Sequence, residues 1–587
     1  MVAQVSRLCE RNGLAKALCL AAGLLLLALL VLPSEAVSQA ALPGSAQPGR
    51  AEEPVRVRPL TPRSSEGVLI QQQDPGAEIP DVDLTLTLER VIVEGSTVFS
   101  QAELDALSAE FIGQEIPVST IFEIARRATV LYRDRGFILS QVIVPPQEID
   151  GGTVRLQAVE GFVDKVVVTG DLTGWRNLVE VYTSKIAAER PLTAATLERY
   201  LLLAGDLAGM EVRGVFSPSE DTPGAATLTV EAKLDRVEGA FEVANDGSNF
   251  VGPNIGSADL FLNSLFGLHE RLALRGATSA DLEELVFGEI IASIPIGSEG
   301  TSVFARLSGS ESEPGSSLDP FDITNEGIRW ALGVTHPIIR SRRRNLFVGL
   351  QFDWDDLQSD SDVFGRLSDD NLRVVRATAD FDFVDAWLGG SRPAVTAIRV
   401  RVSQGFDALG ATNSNSRFRS RVNADGTFTA LDTEILRYQR IGIPGVTVLL
   451  AARGQITSEA VLASEEFGFG GSDYGRGYDP SSILGDRGVA GKIELQYNRP
   501  VDETIPLLQD FELFGFLDAG LVQNIDVAGP VSTDIDELYS VGGGVRLGFD
   551  HGFESEVLLA WRGMTTSSVE NLGADRLRAL FRVVKRF

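Results

Sequence analysis

The sequence predicts two small α+β modules followed by a 16-stranded antiparallel transmembrane β-barrel. Three observations predict this. From about residue 238 the helical pattern gives way to sixteen candidate strands, many alternating apolar and polar residues. The connections between those strands alternate short and long. Ahead of them the order strand-helix-helix-strand-strand occurs twice in succession.

The first 40 residues read as a signal peptide. Arg7, Arg11 and Lys16 form a basic start, "ALCLAAGLLLLALLVLP" is the apolar run, and "SQA" at Ala40 is a small-x-small cleavage site. Both cysteines, Cys9 and Cys19, lie inside it, so the processed chain is expected to have no disulfide. Residues 41–83 are rich in proline and polar residues and read as a linker. One proline-free piece, 63–74, has room for a short helix of about 18 Å, so a plug formed by this segment is expected to be short or unhelical.

Residues 84–161 form the first module. "LTLERVIVEG" reads as a strand ending at Gly95, and Ser100 as the N-cap of a short helix. A second helix places Ile121, Ile124, Ala128, Leu131 and Tyr132 on one face and stops at Gly136. A hairpin with "DGG" in its turn closes the module. Residues 162–236 repeat the order: strand 162–170, helices in "WRNLVEVYTSKI" and "TAATLERYLLLAGDL", then a hairpin.

Residues 237–587 are the barrel. In "LFVGLQFDW", Leu346, Val348, Leu350, Phe352 and Trp354 share one face, while Gly349, Gln351 and Asp353 share the other. In "GKIELQY", Ile493, Leu495 and Tyr497 oppose Lys492, Glu494 and Gln496. Candidate strands start near 238, 256, 270, 285, 301, 328, 345, 372, 394, 428, 446, 489, 511, 538, 554 and 577. Roughly 22 residues per strand plus connection leave ample room for the 9–11 that a tilted membrane strand needs. Hydrocarbon offers backbone groups no partner, so a spanning sheet must close; a wet lumen then accepts the inward charges. The last strand carries Leu577, Phe581, Val583 and Phe587 on one face, with Lys585 interrupting the row near the membrane border.

Composition excludes several functions. The net charge of −29 argues against a nucleic-acid partner. His269, His336 and His551 are far apart, so no His/Cys metal site is expected. No Gly-x-Ser-x-Gly elbow or nucleotide phosphate loop occurs, and no strand–helix pair frames the glycines at 468–471. No cofactor and no enzymatic activity are expected. The acid pairs Asp355-Asp356 and Asp369-Asp370 read as solvated loop charges or as calcium contacts beside lipopolysaccharide.

Two motifs carry a resemblance. Gly475-Arg476-Gly477-Tyr478 lies in the long connection 456–488, the sixth long loop, which ends in "LGDRG". Phe516-Leu517-Asp518-Ala519-Gly520 lies on the thirteenth candidate strand, with Phe516 and Asp518 opposite the face of Leu513, Leu517 and Ala519. With two repeated modules and a barrel, they make residues 84–587 resemble the TpsB family, the transporter half of two-partner secretion systems. That family belongs to the same superfamily as outer-membrane barrel-assembly proteins. The modules look like its periplasmic POTRA domains. The first motif position is Gly here, where the family has Val or Ile.

The resemblance implies that the sixth loop folds into the lumen and that Arg476 pairs with Asp518, with Gly477, Tyr478, Phe516 and Gly520 completing a lumen lock. The alternative for Arg476 is a solvated loop residue. The resemblance further implies an outer-membrane pore with its modules in the periplasm. It would export an unfolded partner of haemolysin or filamentous-adhesin type as a monomeric barrel in contact with outer-membrane lipid and lipopolysaccharide. The alternative function within the superfamily is a barrel-assembly or insertion factor.

Overall fold

The computed structural model describes residues 42–52, 60–63, 70–71, 84–170, 177–500, 507–525, 535–564 and 576–587. The expected signal peptide lies outside these residues.

In the first module the single strand expected at 86–95 is two. Thr85–Thr87 pairs with Glu115–Pro117, and Arg90–Glu94 runs parallel to Thr153–Val159, which also pairs with Gln141–Ile143. The break falls at Leu88, whose buried side chain joins the core. Its N–H donates to the Gln114 carbonyl, while the next two N–H groups turn to Gly152. Ser100 caps Gln101–Asp105 with a reciprocal Glu103 capping box. Helix Ser119–Asp134 buries Ile121, Ile124, Ala125, Ala128 and Tyr132, and Gly136 follows at φ 90°.

The second module packs helices Leu178–Ala188 and Ala194–Gly205 on strands Phe162–Gly170, Met210–Pro218 and Ala225–Leu234. Ile70–Gln71 adds to this sheet in parallel beside Met210–Pro218. The helix expected at 63–74 is therefore corrected at these two residues: a sheet edge with free backbone groups draws them into an extended conformation. Positions 64–69 and 72–74 lie outside the described residues.

This module is docked on the barrel by side chains from both helices. Arg340 donates twice to Asp206, at 2.7 Å each. Lys185 reaches Glu299 at 2.7 Å, and Arg342 reaches Glu198 at 2.6 Å.

The barrel is closed and has sixteen strands, as the alternation predicts. Each strand pairs antiparallel with the next, and strand 1 (Val237–Ala244) pairs with strand 16 (Leu577–Arg586). Strand 1 follows the second module directly, so its start marks the inner end, the one that faces the modules. The long connections then lie at the outer end.

The largest departure from the sequence reading is at strands 6 to 8, Ile323–Arg340, Arg344–Ser361 and Gly365–Asp385. The polar stretch 355–371, expected as a loop, continues the pairing of strands 7 and 8 up to a short turn. Asp355, Asp356, Asp369 and Asp370 are thus strand residues rather than loop charges. Their side chains have partners: Arg373 donates to Asp356 at 2.9 Å, and the Ser420 N–H donates to Asp370 at 3.0 Å. Strand geometry needs only backbone partners, and above the membrane the outward face tolerates charge as well as a loop does.

Alternation sorts the wall as expected. Leu350, Leu495, Leu513 and Leu517 are exposed on the outside, while Asp353, Glu494, Phe516 and Asp518 are buried on the lumen side. Lys585 faces outward in register with both Phe241 and Phe553, its ammonium 4.8 Å over the Phe553 ring.

Candidate functional site

The lumen holds two segments of the chain itself. The first is the sixth loop, between strand 11 (Val446–Thr457) and strand 12 (Arg487–Pro500). Its two arms, Phe467–Phe469 and Ile483–Gly485, pair antiparallel. Asp486, fully buried at the root, ties loop 6 to the neighbouring outer connections: it accepts from Arg421, from the Val461 N–H at 2.8 Å and from the Ile525 N–H at 2.7 Å.

The tip lies against strand 13 (Leu508–Gln523). Arg476 donates through Nε to Asp518 Oδ2 at 3.0 Å and through Nη2 to Oδ1 at 2.8 Å. The same carboxylate accepts the backbone N–H groups of Gly475 and Arg476 at 3.3 and 3.1 Å. Arg476 is 4 % exposed and Asp518 0 %, so the pair is a buried one. The guanidinium carbon sits 3.5 Å over the Phe516 ring, a stacking position that a planar cation fills better than an ammonium.

Glycines set the tip's approach. Gly475 has φ 92°, and a Cβ there would lie 2.8 Å from the Phe469 ring. This explains glycine where the family has a β-branched residue. Gly520 is the place where Phe469 rests; a Cβ would lie 2.1 Å from that ring. Gly475→Val is therefore expected to loosen the tip, read as faster proteolytic cleavage of loop 6 in the assembled barrel. Cleavage at the wild-type rate would contradict that.

Tyr478 is buried, and its hydroxyl donates to the Gly563 and Tyr539 carbonyls. All six residues singled out from the sequence, Arg476, Gly477, Tyr478, Phe516, Asp518 and Gly520, thus lie in one lumen cluster.

Sequence reasoning missed the partners on neighbouring strands. Glu494 on strand 12 faces Phe516 in register and accepts from Arg476 Nη1. Its other oxygen accepts from Gln496 at 2.9 Å and from Arg546 at 2.8 Å. Arg546 in turn reaches Glu512 and Glu556 and lies 3.9 Å over Phe514. Alternation had put Glu494 on the lumen face, but only strand register could pair it with Arg476. Arg562 and Arg578, on the last two strands, donate to the tip carbonyls of Gly477 and Tyr478.

The second segment comes from the stretch read as a linker with room for a short or unhelical plug: residues 42–52 are packed in the outer part of the lumen, with a single 3-10 turn at Gly44–Ala46. Arg50 donates to the Ala463 carbonyl of loop 6 at 3.0 and 3.1 Å. Asn325 donates to Ala46, and Arg329 to Gly49, both at 3.0 Å; Arg329 is also 3.3 Å from Glu52. Leu60 joins a cluster with Leu436, Leu449 and Tyr478, and Arg63 lies 3.7 Å over Phe347 near the inner end. The segment's place in the lumen is not legible in the sequence because it has no apolar period; the wall bonds its backbone and encloses small and polar side chains, among them Ala46, Arg50, Ala51 and Glu52.

Known proteins can now be compared. Residues 86–161 match the POTRA domain, ShlB-type, and residues 227–547 match the haemolysin secretion/activation protein family ShlB/FhaC/HecB, more than half of the chain. The chain belongs to that family. It is a family of transporters, and the barrel accordingly spans the outer membrane with its modules on the periplasmic side.

The chain is 26% identical over 197 residues to the outer membrane transporter CdiB of Escherichia coli O6:K15:H31 (strain 536 / UPEC), a match spanning about a third of each protein, 33%. It is 23% identical over 476 residues to the outer membrane transporter CdiB of Dickeya dadantii (strain 3937), covering 75% of this chain and 76% of that one. The solved structure of CdiB from Escherichia coli shares the fold, with TM-score 0.69 at 19% identity, covering 89% of this chain and 94% of the other.

Proposed function

We propose that this ShlB/FhaC/HecB-family protein exports an unfolded secreted partner protein across the outer membrane. Its modules receive the partner in the periplasm and its lumen conducts it outward. The observation that carries this reading is a lumen filled by two displaceable segments, loop 6 and residues 42–52, each held by hydrogen bonds and ion pairs. Such a channel is closed at rest and opens without breaking the wall, which a chain-conducting pore needs and a passive porin does not.

On this reading Arg476 and Asp518 are the lock. Their bonds hold the tip in the lumen, and Phe516, Gly477, Tyr478 and Gly520 give it a seat of defined shape. Entry of a polypeptide offers the tip's polar groups no comparable partner, so opening requires the cargo to add enough contacts of its own. Folding of the partner outside then makes return unfavourable. The expected signal peptide delivers the chain to the periplasm; the barrel works as a monomer, its outer face against lipid and lipopolysaccharide.

The test is removal of the protein from its own cells, with the culture medium assayed for secreted proteins. One or more large secreted proteins are expected to vanish from the medium and to return when the protein is restored. An unchanged medium, or a general loss of other outer-membrane barrels, argues against export and for the assembly-factor reading.

A further inference from the structure

Strands 9 and 10, Ala394–Gly405 and Thr429–Arg440, are joined at the outer end by residues 406–428. This connection carries no helix or strand, yet it is fixed on two sides. On one side it runs beside the outer part of strand 8. The Thr412 N–H donates to the Asn371 carbonyl and the Asn371 N–H to Thr412 Oγ1, each at 2.8 Å, and the Asp369 N–H donates to the Phe418 carbonyl at 2.6 Å. On the other side it meets the root of loop 6: Ala424 and Phe428 share an apolar cluster with Leu372 of strand 8 and with Val461 and Leu462 of loop 6.

The polar ties converge on two neighbours, Ser420 and Arg421. The Ser420 N–H donates to Asp370 at 3.0 Å, and its hydroxyl accepts the Ala463 N–H at 3.1 Å. Arg421 donates to both oxygens of Asp486 and, through Nη1, to the Val461 carbonyl at 2.6 Å, all on loop 6. Its Nη1 also lies 3.2 Å from Glu466 Oε1. Its Nη2 reaches Asn524 Oδ1 at 2.9 Å, just past strand 13. One guanidinium thus joins three outer connections. It does so beside Ala463, whose carbonyl accepts from Arg50 of the N-terminal segment.

We propose that Arg421 is a positioning residue, and that residues 406–428 form an outer latch on the root of loop 6, separate from the Arg476–Asp518 lock at its tip. The paired arms lie between the two fixings, and their Phe467 and Phe469 are fully buried. The arms therefore keep their place when either end is released. A guanidinium fork that matches a carboxylate holds only while both sides stay in position. When Arg421 lets go, the outer mouth parts between the connection and loop 6, and the acceptor of Arg50 is free to move with loop 6. The proposal rests on the bonds of the resting barrel and holds whether the barrel exports a partner or not.

The latch responds to pH through Glu466. Burial pushes its carboxyl up to about 7; Arg421 and Arg50 pull it down, and Asp486 adds to the rise. The closed root therefore holds a proton that a hydrated Glu466 gives up. Its contribution to closure is complete below the ordinary carboxylate range and is lost as the pH rises through about 7.

Two measurements on the full-length protein test the latch. Amide hydrogen exchange in lipid nanodiscs compares wild type, Arg421→Gln and Asp518→Asn. Arg421→Gln is expected to raise exchange several-fold in peptides from 406–428 and 458–466, with the tip at 470–479 unchanged. Asp518→Asn is expected to do the reverse. A root indifferent to Arg421→Gln, or variants that each loosen both ends, overturns the proposal. If Arg421→Gln does not assemble, Arg421→Lys takes its place with the same expected result, since it keeps the charge and loses the fork.

In planar bilayers wild type is expected to open more often at about pH 8 than at about pH 6, and Glu466→Gln equally rarely at both. Arg421→Gln is expected to move the midpoint of that dependence upward, because no guanidinium at 421 then draws the proton off Glu466. A midpoint left in place is what a merely structural Arg421 gives, and it overturns the proposal.

Discussion

Arg476→Ala is expected to remove most export of the partner while the barrel still assembles. The substitution leaves Asp518 with two backbone donors and no cation, and leaves Glu494 with Arg546 and Gln496 alone. Breaking one side of a buried ion pair costs about 3–5 kcal/mol, and the lower end applies here because water enters the vacated space. The loss falls on the resting position of loop 6, since the wall keeps its ladders. Two measurements separate the outcomes: the partner protein in the medium, and the shift in gel mobility between unheated and heated barrel. Normal export with a normal shift means that the pair is no lock. The double variant Arg476→Ala/Asp518→Asn is expected to regain part of the lost stability and none of the export, because it removes the stranded charge without restoring the tip's seat.

Deletion of residues 42–52 has the second-largest expected effect: a several-fold rise in single-channel conductance in planar bilayers. The segment fills the outer lumen between loop 6 and the wall at strands 6 and 7, and its deletion takes one partner each from Arg329, Asn325 and the Ala463 carbonyl. Those groups are polar and become hydrated, so an open channel rather than a collapsed core follows. A conductance equal to wild type would mean that loop 6 closes the lumen alone. Arg50→Gln, which keeps the segment but weakens its hold on loop 6, is expected to give brief openings of the same size.

Most of the secondary structure was legible. The period-two rows in "LFVGLQFDW" and "GKIELQY" gave both the strands and the inward faces, because in a membrane barrel each residue meets either lipid or water. The helix 119–134 and its Ser100-capped predecessor were legible for a similar reason, an apolar stripe between local stop signals. Less was legible where pairing alone decides. The split at Leu88 and the continuation of strands 7 and 8 through 355–371 follow from which backbone groups find partners across the sheet, and composition does not record that.

The candidate site divides the same way. The chain by itself determined that Arg476 sits between glycines, that Asp518 and Glu494 face inward, and that the barrel must close, since side-chain alternation and the demand for backbone partners in hydrocarbon are local rules. Only the tertiary structure decided that Arg476 also meets Glu494, that Arg421 ties the root of loop 6 to its neighbours, and that residues 42–52 lie inside the lumen. Those contacts join segments up to hundreds of residues apart, and their strength comes from mutual burial of charges, which exists only once the wall has closed around them.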